Sequence, residues 1–184
     1  MEAQLPTPPV ARVVLTGSES TGKTTLAHRL AGHYGTVASR EFVREYAIAR
    51  GNQLGVDDLA PIARGQMLAE DEAVARASRV AFIDTDLVST VVYGAHYYGR
   101  CPAWIEEAAV ARAADLYLLM DIDVPWVADP ARDRGDRRPE MHALFRDRLE
   151  ALRLPYVGIS GTWPQRFAAA VRAVDALLAR QAPG

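Results

Sequence analysis

The sequence predicts an α/β fold: a parallel sheet of five strands with helices on both faces. Three observations carry this. Short apolar, β-branched runs alternate with longer runs of helical periodicity along the whole chain. The strand-like runs are apolar enough to be buried on both sides. A glycine-rich stretch, GSESTGKT, stands between the first strand-like run and the first helical one. With 184 residues, 49% of them apolar, the chain suits a single domain over residues 11–181 behind a flexible tail over 1–10.

The elements follow in order. ARVVLTG (11–17) reads as the first strand, and TTLAHRLAGHYG (24–35) as a helix with Leu26, Leu30 and Tyr34 on one face and Gly35 as its stop. TVASREF (36–42) reads as a short second strand, followed by a helix over 42–50 and the turn GNQLG. Residues 56–78 form a long helix started or broken near Pro61. RVAFIDTD (79–86) is a third strand with acids at its C-terminal end. Helices follow over 87–98 and from Pro102 to residue 114. DLYLLMDID (115–123) is a fourth strand, and 124–139 is polar and irregular. A helix over 140–152, a fifth strand PYVGISG (155–161) and a helix over 164–180 close the chain.

Composition excludes several classes. A formal charge of −2 gives no bulk attraction for nucleic acid or an acidic membrane surface. One cysteine, Cys101, excludes an internal disulfide framework and suits a reducing, cytoplasmic setting. The first residues lack the apolar core of a signal peptide, and no apolar run approaches the roughly 18 residues of a spanning helix. The four histidines and Cys101 show no metal-ligand spacing. Of 21 basic residues, the single lysine is Lys23, inside the glycine-rich stretch.

That stretch matches G-x-x-x-x-G-K-[ST] at every fixed position, in the strand–loop–helix context the motif requires. The expected fold is therefore a three-layer P-loop NTPase fold with sheet order 2-3-1-4-5. The loop from Gly17 through Ser18, Glu19, Ser20, Thr21, Gly22, Lys23, Thr24 and Thr25 is expected to hold ATP. Its glycines let backbone N–H groups turn towards phosphate oxygens, and the helix N-terminus adds positive potential. Lys23 is expected at the β- and γ-phosphates and Thr24 on Mg²⁺.

In such sheets ligands sit at the carboxyl ends of strands. After the third strand, FIDTD offers Asp84 for Mg²⁺; Asp86 either joins the site or caps the next helix. After the second, Glu41, Arg44 and Glu45 share one helix face. They form either an acceptor site, with a carboxylate to take the proton of a hydroxyl, or a solvated face with an internal ion pair. After the fourth, Arg132, Arg134, Arg137 and Arg138 fall within seven residues. They read either as an arginine-rich lid that neutralises charge on a transferring phosphoryl group, the favoured reading, or as an exposed loop of alternating charge with Asp129, Asp133 and Asp136. Trp126 is either core or a flat face for a substrate ring. One of Tyr93, Tyr97 and Tyr98 could line the acceptor pocket.

GSESTGKTTLAHRLA, EFVREYA, IARGQ, VAFIDTDLVSTVVY and DLYLLMDIDVPWVADPARDRGDRR, in this order, resemble the ribosylnicotinamide kinase domain of NadR-type proteins over about residues 12–180. The resemblance implies ATP-dependent phosphorylation of the 5′-hydroxyl of nicotinamide riboside, with a small nucleoside as partner and ATP and Mg²⁺ as cofactors. It implies Lys23, Asp84, Glu41, Arg132 and Arg137 in catalysis, with the general base left among Glu41, Asp84 and Asp86. It implies Arg138 on ATP, and Glu41, Arg44, Glu45, Asp86, Trp126 and Asp129 near the riboside. The chain shows no adenylyltransferase motif and no helix-turn-helix, so NAD synthesis and repression in the same polypeptide are not expected. Two other readings stand beside this one: a kinase for another nucleoside or small alcohol, and a nucleotide switch without an acceptor.

Overall fold

In the computed structural model, residues 9–125 and 137–181 are described. Four strands, β1 (Ala11–Thr16), β2 (Val80–Asp84), β3 (Leu116–Met120) and β4 (Tyr156–Ile159), form one sheet in the order β2-β1-β3-β4. Every pairing is parallel. Among the described residues seven α-helices are interleaved: α1 (Lys23–Tyr34), α2 (Phe42–Ala49), α3 (Leu59–Arg76), α4 (Leu87–Tyr98), α5 (Ala103–Ala111), α6 (Arg138–Ala151) and α7 (Trp163–Gln181).

The alternation of strand side chains builds two cores. Val13, Leu15, Phe82, Leu118 and Met120 pack on Leu26 and Leu30 of α1 and on Val174 and Leu177 of α7. Val14, Ile83, Tyr117 and Leu119 face the other way, onto Leu59, Val88, Val91, Ile105 and Phe145 from α3 to α6. The expected three layers are present. Pro61 sits in the first turn of α3, where its missing N–H costs no hydrogen bond.

The sheet has four strands, not five. The residues expected as the second strand make one parallel bridge, Ala38 to Phe82, at the outer edge of β2. The other four keep the expected relative order. Ser39 explains the break. Its backbone N–H donates to the Phe82 carbonyl (2.8 Å), but its hydroxyl accepts from the Asp84 N–H (2.9 Å). A side chain has replaced the next ladder acceptor, so the backbone leaves the sheet and enters α2. This departure carries Glu41 to the C-terminal end of β2, where a longer strand would have carried it past.

The tail over 1–8 and residues 182–184 lie outside the described residues. So do Trp126, Asp129, Arg132 and Arg134. Among the described residues no helix is long and apolar enough to cross a membrane.

Candidate functional site

The loop between β1 and α1 has the backbone its sequence demands. Gly17 (φ 119°) and Gly22 (φ 83°) lie in the left-handed region, and Ser20 joins them at φ 54°. A Cβ on Gly17 would lie 2.9 Å from the Met120 carbonyl oxygen, so β3 leaves room for hydrogen alone. Gly22 is the N-cap of α1. The Thr21 hydroxyl donates to the Ser18 carbonyl (2.8 Å), closing the turn. Lys23 is buried, and its Nζ donates to the Gly17 and Ser18 carbonyls at 3.0 and 2.7 Å. The ammonium is thus held at the mouth of the loop.

Beside it lie three oxygen-bearing side chains. The Thr24 hydroxyl donates to Glu41 Oε2 (3.2 Å). Asp84, at the end of β2, is 2% exposed; the Thr24 hydroxyl lies close to it but is directed to Glu41, so among the described residues neither carboxylate oxygen has a well-formed hydrogen bond. Burial, and then the nearby Glu41, push its carboxyl up to about 6; Thr24 and Lys23 partly offset them. An orphaned buried carboxylate next to a hydroxyl and a second carboxylate fits a hard divalent cation. Mg²⁺ is bound in this way, by one or two carboxylates together with phosphate oxygens. The next residue, Thr85, has φ 64°, strain at the point where the chain turns from β2 into α4.

From the phosphate loop a cleft of about 730 Å³ runs between α2, α3 and α4. Glu41 and Arg44 line its entrance, with Arg44 Nη1 4.0 Å from Glu41 Oε2. Val43, Leu59 and Ile62 form one apolar wall. Tyr93, Tyr97 and Tyr98 form another, the first two stacked with centroids 5.9 Å apart. At the floor the Thr90 hydroxyl donates to Gln66 Oε1, and Gln66 Nε2 donates to the Thr85 hydroxyl (3.3 Å). The volume, the apolar walls and the few fixed polar groups suit a nucleoside-sized molecule.

The two acids of FIDTD have divided their tasks. Asp86 caps α4, accepting from the Val88 N–H (3.1 Å) and the Tyr117 hydroxyl (2.8 Å). Burial raises its carboxyl to about 6, against those hydrogen bonds. It does not line the cleft. Glu45 does not line it either; it pairs with Arg40 at 3.2 Å on the surface. Arg137 lies 3.5 Å from His96 Nε2, outside the cleft lining. Arg138 is buried and donates to the Val124 carbonyl (2.9 Å), while its Nε and Nη2 find no partner among the described residues. Burial lowers its pKa and Glu19 opposes that. The sequence reading missed Gln66 and Thr90. The IARGQ stretch holds Gln66, but nothing in its spacing marks that side chain as part of a cleft.

The comparisons with known proteins agree with this geometry. A protein-family model described as an AAA domain matches residues 12–166. The trifunctional NAD biosynthesis/regulator protein NadR of Escherichia coli (strain K12) is 32% identical over 94% of this chain, and that of Salmonella typhimurium 31%. The chain spans 44% of the length of each. A crystal structure of NadR protein in complex with NAD and AMP-PNP superposes with a TM-score of 0.77 at 26% identity, over 93% of this chain and 50% of that one. One of NadR protein in complex with NR gives 0.76 at 25%, over 93% and 52%. A thymidylate kinase from Ehrlichia chaffeensis shares the fold alone, with a TM-score of 0.64 at 13% identity over 92% of this chain and all of that one. The chain belongs to the AAA domain family, and it is a NadR homologue with a P-loop kinase-like fold.

Proposed function

We propose that this protein is an ATP-dependent kinase that phosphorylates the 5′-hydroxyl of nicotinamide riboside to give nicotinamide mononucleotide. The observation that carries the reading is the orphaned carboxylate of Asp84 beside Thr24 and Glu41, set between the lysine of a phosphate loop and a nucleoside-sized cleft. The NadR structures in complex with NR and with NAD and AMP-PNP support the choice of acceptor and donor.

Each residue has a task in this reading. Lys23 exchanges its two carbonyl partners for phosphate oxygens, and the amides of Gly17–Thr25 surround the β-phosphate. Thr24 and Asp84 would hold Mg²⁺, which supplies charge neutralisation on the phosphates. Glu41 is the one of the three candidate bases that lines the cleft. It orients the acceptor hydroxyl and takes its proton as the new P–O bond forms and the bond to ADP breaks. Arg44 fixes Glu41 and offers a donor to the riboside. Arg138, with two donors unpartnered among the described residues, would offer them to phosphate. Arg132 would neutralise the transferring group, and Arg137, which does not line the cleft as it stands, would join it only by leaving His96. Trp126, Asp129 and the tyrosine wall receive the cationic ring.

The test is ADP release from Mg·ATP with no acceptor, with nicotinamide riboside, and with a panel of nucleosides. Stimulation by nicotinamide riboside above the panel is expected. Stimulation by another nucleoside instead would replace the acceptor, and release indifferent to every acceptor would replace the kinase by a nucleotide switch.

A further inference from the structure

Arg166 lies in the first turn of α7, far in sequence from the phosphate loop, and its side chain is fully buried. Arginine is seldom buried completely, because desolvating the guanidinium is costly unless every donor is used. Here the donors are used on three separate loops. Nε donates to the Gly161 carbonyl (2.9 Å), Nη1 to the Thr21 carbonyl (3.3 Å) and Nη2 to the Asp121 carbonyl (3.1 Å). Nη2 also pairs with the Asp123 carboxylate. Thr21 follows β1, Asp121 follows β3 and Gly161 follows β4. One planar fork therefore ties together the loops at the carboxyl ends of three adjacent strands, the edge where this class of sheet meets its ligands.

The bond to Thr21 has a directional consequence. The peptide between Thr21 and Gly22 is trans, and in a trans peptide the C=O and the following N–H point in opposite directions. Fixing the Thr21 carbonyl on Arg166 fixes the Gly22 N–H on the side away from it. Gly22 lines the cleft; Arg166 does not. A second contact acts on the same peptide. A Cβ on Gly22 would overlap the ring of Trp163, and the Arg166 guanidinium lies 5.6 Å from the centre of that ring. Arg166 and Trp163 thus back the loop from outside, and the free conformation of Gly22 (φ 83°) is held in one setting.

We infer that Arg166 is a positioning residue for the donor nucleotide: through the Thr21 carbonyl it aims the Gly22 N–H of the phosphate loop, and it keeps that loop in register with those after β3 and β4. The inference rests on the reading of the loop as the site of a nucleoside triphosphate. It assigns donor affinity, and not acceptor affinity, to a side chain that touches neither.

The test compares wild type, Arg166→Lys and Asp123→Asn. Lysine keeps the charge but donates from a single point and cannot reach three carbonyls. The Asp123 variant leaves the three carbonyl acceptors in place, removes the charge beside the guanidinium, and keeps one oxygen where the carboxylate serves both Arg166 and the Gly161 N–H. Each protein is measured for Tm, for Mg·AMP-PNP affinity by calorimetry, and for the KM of nicotinamide riboside. Arg166→Lys is expected to weaken AMP-PNP about tenfold while the riboside KM stays within about twofold. Asp123→Asn is expected to weaken AMP-PNP by about two- to fivefold. Unchanged AMP-PNP affinity in both variants overturns the inference, as does an equal loss of donor and acceptor affinity that follows Tm. If Arg166→Lys does not fold, Asp123→Asn decides alone, and wild-type AMP-PNP affinity in it overturns the inference. Failure of wild type to bind AMP-PNP would instead remove the donor-site reading itself.

Discussion

A buried carboxylate short of hydrogen-bond donors is expected to destabilise the fold that holds it, and among the described residues Asp84 is such a group. The rise of its carboxyl from 3.8 to about 6 gives the sign. The folded state holds the proton more tightly than the unfolded one, so this group favours folding below pH 4. That contribution is lost as pH rises to about 6. At neutral pH the charged form is disfavoured by on the order of 3 kcal/mol. Asp84→Asn is therefore expected to raise Tm at pH 7.5 by about 2–6 °C, less so at pH 4.5, while removing Mg²⁺-dependent turnover. Calorimetry at the two pH values checks it; a variant that is less stable at pH 7.5 counts against the orphaned charge. Lys23→Ala is expected to keep the fold and lose turnover by at least about 10³-fold, since the ammonium bonds the Gly17 and Ser18 carbonyls of the loop and, in the proposed reading, acts on phosphate. Circular dichroism and ADP release together decide it, and full activity would remove the phosphate loop from the mechanism.

At the scale of elements, the acceptor side depends on how α2 crosses α3. Phe42, the first residue of α2, packs directly over Gly65, where a Cβ would overlap its ring. Gly65 costs α3 about 1 kcal/mol of helix propensity relative to alanine. The gain is that α2 approaches closely enough for Glu41, its N-cap, to meet Thr24. Gly65→Ala is expected to lower stability by about 1–2 kcal/mol despite better propensity. It is also expected to lower kcat/KM for the acceptor more than AMP-PNP affinity. Denaturant titration with steady-state kinetics checks this; a more stable variant with unaltered kinetics would show that the close approach does not matter. The sequence showed α2 and α3 as helices because their periodicity is local. It did not show the notch, which needs a contact between residues 42 and 65 that no pattern within either helix encodes. The same reason explains the second strand. Thr36–Phe42 has the composition of a strand, but the Ser39 hydroxyl competes for the Asp84 amide and ends the ladder after one bridge.

For the whole molecule, what was legible is what is contiguous. Eight residues in a row specified the phosphate loop, and apolar runs specified four strands in their relative order. The loops after β1 and β2 lie side by side because a parallel sheet gathers its strand ends at one edge. Arg166, 145 residues from Thr21, read as one more arginine in a chain of twenty. Asp86 could not be told from a site acid, because a cap and a ligand have the same chemistry until burial and partners are known. Binding and stability are linked across the molecule. If Asp84 holds the Mg²⁺ of Mg·AMP-PNP as proposed, stabilisation by that ligand needs Asp84 ionised, and the rise in Tm is expected to shrink as pH falls from 7.5 through 6 to 5. Asp84→Asn is the control, because its smaller rise lacks that carboxyl's contribution to the slope; equal slopes in the two proteins would contradict the assignment. The central claim is phosphoryl transfer to nicotinamide riboside, and its most direct measurement is a single-turnover reaction with ATP labelled at the γ-phosphate. The account requires the label to appear in nicotinamide mononucleotide, stoichiometrically with enzyme and absent with Lys23→Ala. Label released only as inorganic phosphate, at the same rate with and without the riboside, would contradict it.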